Sequence, residues 1–165
     1  MTPIAYAGFW RRFLAWCIDA PLRFVLGLAF VFLPMRVLVS GQAARYGTTD
    51  SAVLWRNMPL HEELIVILLW LCATVFVPWL YTAFMESSPS GATFGKRLLG
   101  IRVTDANIRQ VSFGRASGRY FASLIPTLGI AYLLIPFTQR QQALPDLIAN
   151  CLVIRTHPKS IATTS

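Results

Sequence analysis

Residues 13 to 35 read FLAWCIDAPLRFVLGLAFVFLPM, an apolar run that carries Asp19 and Arg23 where a membrane span ordinarily carries no charge. An ionised side chain in a bilayer core costs at least ~2.5 kcal/mol on insertion scales, so each of these charges requires a partner, a water-filled cavity or a function. If the run is helical, Arg12, Asp19 and Arg23 fall near one face, because seven residues make about two turns and four make about one. Gly8 and Ala15 share that face. One stripe thus combines charges with small residues that admit a neighbouring backbone, and the opposite side offers Phe, Leu and Val to lipid. At ~1.5 Å per residue such a helix crosses a hydrocarbon core of ~30 Å with some tilt. Pro21 removes one backbone hydrogen bond and is expected to bend the packed helix.

Composition agrees with a membrane class. The chain has 165 residues, 55% of them hydrophobic and 13% charged, against roughly 25% charged in soluble domains. That length predicts one module, residues 1–155, followed by a disordered tail over 156–165. The net charge of +8 comes from 15 Lys and Arg against 7 Asp and Glu. In a membrane protein this surplus points to cytoplasmic loops facing anionic headgroups, not to nucleic acid. Cys17, Cys72 and Cys151 sit in or beside apolar segments without short spacings, so neither a metal site nor a disulfide framework is expected. Arg11 and Arg12 ahead of the first run suggest a signal peptide, but the run exceeds the usual ~7 to 15 residues and contains Asp19.

Outward from the first run, Ser40 to Pro59 is polar and reads as an exposed loop. His61, Glu62 and Glu63 follow it; two acids at the start of a helix suit the helix dipole, and a metal site would need further converging ligands. Leu64 to Met85 is uncharged and forms the second predicted span, with Pro78 near its end and Glu86 closing it. Ser87 to Arg119 holds Lys96, Arg97, Arg102, Arg109, Arg115 and Arg119 against Asp105. Its segment GATFGKR, 91 to 97, has three residues between the glycines and Arg97 after the lysine, so it departs from a phosphate loop. Lys96, Arg97 and Arg102 are instead expected at lipid headgroups, with Phe94, Leu98 and Leu99 dipping into the interface. Ile101 to Thr104 and Ile108 to Val111 flank 105 to 107 and predict a small cytoplasmic β-hairpin. Ser112 can cap the next helix.

Tyr120 to Gln139 is uncharged but interrupted by Pro126, Gly129 and Pro136, and reads as either a third span or a re-entrant hairpin. A third crossing leaves eight cations inside and six outside, whereas a return to the same side gives eleven against three. The second count fits the positive-inside rule better and leans toward a cytoplasmic C-terminus beside a cytoplasmic N-terminus. The predicted class is therefore an all-α integral membrane protein with two clear transmembrane helices, a C-terminal span or hairpin, and the small β element. A short helix over Ala143 to Asn150 carries Asp146, and Leu152 to Ile154 is strand-like.

Four blocks, AGFWRRFLAWCID at 7–19, GATFGKRLLGIRV at 91–103, Ala116 to Arg119, and RQQALPDLIA at 140–149, together resemble the RDD family of membrane proteins, in the family's order and over nearly the whole chain. The resemblance identifies Arg12, Asp19 and Asp146 as the arginine and two aspartates of the family name. It also shows two departures: Pro145 stands where the family usually has His, and Asn150 and Cys151 replace its small and Thr positions. It implies a multi-pass protein of a bacterial-type inner or plasma membrane, and exchange of alkali cations for protons as one activity.

Two functions stay open. In the first, Arg12, Asp19, Arg23, Arg119 and Asp146 form an intramembrane charge network that passes monovalent cations and protons, completed by a second copy or by a partner membrane protein. In the second, the same charges lock helices together in a non-transporting module whose basic loop docks membrane lipids or a protein. No nucleophile, base and ligand set converges, so neither an enzyme nor a cofactor is expected. Arg12 is expected to meet one of the two aspartates, Asp19 or Asp146, and Arg119 or Arg23 the other.

Overall fold

The computed structural model describes residues 5–124, 135, 138 and 140–156. Helix α1 spans Phe9–Tyr46 and α3 spans Leu60–Glu86, and both are long and apolar enough to cross a membrane. With 38 residues, α1 is about 57 Å long, nearly twice a hydrocarbon core of ~30 Å. The protein is thus mostly helical with two candidate spans. The expected third pass or re-entrant hairpin over 120–139 lies largely outside the described residues, as does the tail from 157.

Both helices run on through their prolines. Pro21 and Pro34 lie inside α1 without ending it. In α3 a π-helical turn over Cys72–Phe76 precedes Pro78. Proline removes the N–H that would meet the carbonyl four residues back, and wider turns of this kind let neighbouring groups take up the freed carbonyls. Thr74 also turns its hydroxyl onto the Trp70 carbonyl at 2.8 Å.

The polar stretch after residue 40 is not wholly a loop. Helix α1 continues to Tyr46, and Gly47, with φ of 65°, ends it. Gln42 is buried and donates to Glu62 at 2.5 Å, while Arg45 pairs with the same carboxylate at 3.0 Å. These ties hold the last turn of α1 against the first turn of α3. Asp50 then caps α2, Ser51–Arg56, through the Ala52 N–H at 2.9 Å.

Past α3 come α4, Phe94–Leu98; β1, Ile101–Asp105; α5, Phe113–Ser123; α6, Leu144–Ile148; and β2, Cys151–Arg155. The expected hairpin is corrected here: β1 pairs antiparallel with β2, in the register Val103 to Val153, and not with 108–111. The reason lies in burial. Ile101 and Val103 are buried and require an apolar partner strand, which Cys151, Leu152, Val153 and Ile154 provide, whereas Arg109 and Gln110 are exposed. Asp105 instead makes the turn, its Oδ1 accepting the N–H groups of Asn107 and Arg109 at 2.9 and 2.7 Å. Residues 5–7 run along the other edge of β2, where Ala7 N–H donates to Val153 O at 2.9 Å.

The chain divides into two compact units, residues 1–21 with 79–165, and residues 22–78. The first has a closed core of Ala7, Ala15, Ala83, Val103, Ala116 and Val153, with others around them. The second is a helix pair whose large apolar side chains face outward, as in Phe24, Leu33 and Ile67, 66%, 70% and 63% exposed.

Candidate functional site

Two polar constellations lie inside the first unit. One is a chain of ion pairs. Asp146, in the first turn of α6, is 1% exposed. Its Oδ1 accepts from Arg119 Nε at 2.8 Å, and its Oδ2 accepts from Arg12 Nη1 and from the Ala143 N–H. Arg12 is fixed by two further donations, Nε to Ala7 O at 2.8 Å and Nη2 to Gln141 O. Arg119 reaches on to Glu86 at 2.8 Å, and the second oxygen of Glu86 takes Lys96 Nζ. Glu86 too is 1% exposed. Five segments thereby meet through three cations and two carboxylates. Burial pushes the Asp146 carboxyl up, but Arg119 and Arg12 outweigh it and hold the group below the usual carboxylate range. Burial likewise raises the thiol of the neighbouring Cys151.

The other constellation surrounds Asp19, which is 4% exposed. Its Oδ1 accepts from Tyr81 Oη at 3.0 Å and from the Gly95 N–H at 2.7 Å, and its Oδ2 accepts from Thr93 Oγ1 at 2.5 Å. The Tyr81 hydroxyl is oriented in turn by the Phe94 N–H at 3.1 Å. No arginine answers Asp19 among the described residues, contrary to expectation; hydroxyls and one amide do. A side chain at 95 would stand in the way: a Cβ there would lie 2.3 Å from Ala15 O and 3.1 Å from Asp19 Cγ. Glycine is required for this close approach of α4 to α1.

The structure therefore brings Arg12, Arg119 and Asp146 together, and keeps Asp19 in a cage of its own. Arg23 lies in the second unit, where it lines a pocket of about 180 Å³ with Phe24, Gly27, Trp70 and Thr74. Lys96 is not a headgroup cation but points inward to Glu86, a buried acid whose other cationic partner among the described residues is Arg119. Arg97 is exposed and bonds to Ser90. Arg102 is half-buried on β1, its Nε buried without a hydrogen-bond partner among the described residues. Sequence reasoning missed Glu86, Tyr81 and Thr93. The available signal was in GATFGKR, whose Thr and second Gly flank a close backbone contact rather than a phosphate. Among the described residues no group of His, Cys, Asp and Glu forms a metal-binding set.

Two long apolar helices with little protein cover, joined to a small sheet and a buried ion-pair cluster, define a helical membrane protein. The chain belongs to the RDD family, whose model matches residues 6–150. It is 30% identical over 151 residues to the uncharacterized protein YxaI of Bacillus subtilis (strain 168), a match that covers 90% of this chain and 96% of that one. No solved structure matches the chain.

Proposed function

We propose that this protein exchanges an alkali cation for protons across the membrane, with the cation received at Asp19. The observation that carries this reading is the cage itself: a buried carboxylate met by two hydroxyls and an amide, and by no cation among the described residues. A carboxylate out of water gains from either a proton or a monovalent cation. The hydroxyl oxygens of Tyr81 and Thr93 lie within 3.0 Å of it, and each retains lone pairs that suit a hard cation. Asp146 is unsuited to that role, since two arginines occupy it.

The proposed topology is multi-pass, with the N-terminus and residues 87–119 on the cytoplasmic side, and transport completed by a second copy or a partner membrane protein. Single cysteines at Ser90 and Thr48 check it by labelling from each side; Ser90 reached from outside overturns it. The exchange is tested by pH-driven cation flux in sealed vesicles. Asp19→Asn keeps the shape and should abolish exchange in a protein that remains folded, whereas undiminished flux would falsify the assignment.

A second reading is supported by the fully ion-paired Asp146 and Glu86: a non-transporting module in which charge clamps the helices. Wild-type vesicles without flux favour that reading.

A further inference from the structure

Helix α4 makes two attachments within a few residues. Thr93 and Gly95, at its start, hold Asp19, and Lys96 holds Glu86. Among the described residues the cluster that receives Lys96 sets Lys96, Arg119 and Arg12 against Glu86 and Asp146, a surplus of one positive charge. Such a surplus is unfavourable, and it is relieved when one cation gives up a proton. Guanidinium groups do not deprotonate in proteins, whereas a buried ammonium does so readily. The chain has arginine at thirteen of its fifteen basic positions and lysine only at 96 and 159. Lys96 is accordingly the basic group of this cluster able to shed its charge.

The charged groups that face Lys96 are Glu86 from α3, Arg119 from α5 and Asp146 from α6, with Arg12 of α1 on the far side of Asp146; Arg97, its neighbour in α4, turns to Ser90. Burial and Arg119 push the Lys96 ammonium below the ordinary lysine range, and Glu86 offsets this only in part.

We propose that Lys96 is the proton-exchanging group of the buried cluster and the latch of α4: on giving its Nζ proton to water it becomes a neutral amine, Glu86 passes to Arg119 alone, and the segment holding Asp19 is released from α3. Below the midpoint of this titration α4 is latched, and above it the Asp19 cage can open. The titration stands by itself; its part in cation exchange rests on the function proposed above.

The test uses the full chain in lipid nanodiscs with lysine carbons labelled for NMR. Replacing Lys159→Arg leaves a single lysine signal, that of Lys96. Its midpoint is expected below the ordinary value of about 10.4, and a midpoint at or above it overturns the proposal. The hydrogen-exchange protection of the Gly95 amide should fall across the same pH interval. Lys96→Arg keeps the charge and cannot titrate there, so protection should stay level; an unchanged fall in that variant overturns the latch. Flux separates the two claims. A flattened pH profile in Lys96→Arg vesicles supports the latch, while absence of flux in the wild type removes the transport reading and leaves the NMR midpoint to decide Lys96.

Discussion

The two units differ in that one closes a core and the other does not. Among the described residues of the first unit, nine apolar groups close over one another in a core cluster at or near zero exposure. In residues 22–78 the buried residues are few, Val31, Leu54, Val66 and Ala73 among them, and the large side chains point outward. The first unit thus has an interior from which water is excluded, and around it Trp10, Phe84 and Leu98, 72%, 68% and 61% exposed, remain uncovered. The second leaves its apolar surface for lipid to cover. Charge follows the same division: the first unit buries paired ions, and the second confines its buried acid, Glu62, to the end of the helix pair.

The sharpest way to break this comparison is to remove the acid that ties the first unit together. Asp146→Ala leaves Arg12 and Arg119 partly uncompensated and should cost about 3–5 kcal/mol. Hydrogen exchange should then show β1, β2 and α5 losing protection while the helices of residues 22–78 keep theirs. A uniform loss over both units would mean that they are one cooperative body. The same residue sets an acid limit. Because the folded-state pKa of Asp146 lies below its ordinary value, its stabilisation is fully present above that ordinary value, ~3.9, and is lost as pH falls through the lower folded value. Acid unfolding of the first unit should therefore begin below about pH 4 and lose this component in Asp146→Asn.

A smaller effect is expected from Gly95→Ala, whose Cβ would meet the Ala15 carbonyl at 2.3 Å. Overpacking of this kind costs about 1–3 kcal/mol, and displacement of α4 should also loosen the Asp19 cage. Thermal unfolding in detergent measures the first part, and protection of the residue-95 amide the second. Least is expected from Gly27→Ala in the second unit. There the added Cβ would stand 3.2 Å from Ala73 O, a contact that two helices relieve by a slight shift, at about 1 kcal/mol or less. A loss as large as that of Gly95→Ala would show the helix pair to be as tightly fitted as the domain.

Much of this division was legible in the chain. Leu64 to Met85 declared itself by the absence of charge, and the true helix differs from it by a few residues at its start. Ser112 was readable as a cap because its hydroxyl serves an amide three residues away. The site was legible only in part. Arg12, Asp146 and Arg119 attracted notice as charges in apolar surroundings, but Glu86 looked like a mere end to its span and Lys96 like one more loop cation. Asp19 was assigned an arginine because charge invites charge, whereas a hydroxyl pair and a backbone amide satisfy it.

By itself, then, the sequence determined the membrane class, the two long helices and the identity of the residues that cannot face lipid. These follow from hydrophobicity and helical period, which are properties of short stretches of chain. Only the tertiary structure decided that β1 pairs with the C-terminal strand, that Lys96 turns inward to Glu86, and that Asp19 and Asp146 occupy separate sites. Each of those outcomes depends on which donors and acceptors converge from distant segments. Buried polar groups accept whatever partner the packing brings within hydrogen-bond reach, and in this fold the packing is set by Gly95 against α1 and by the burial of β2.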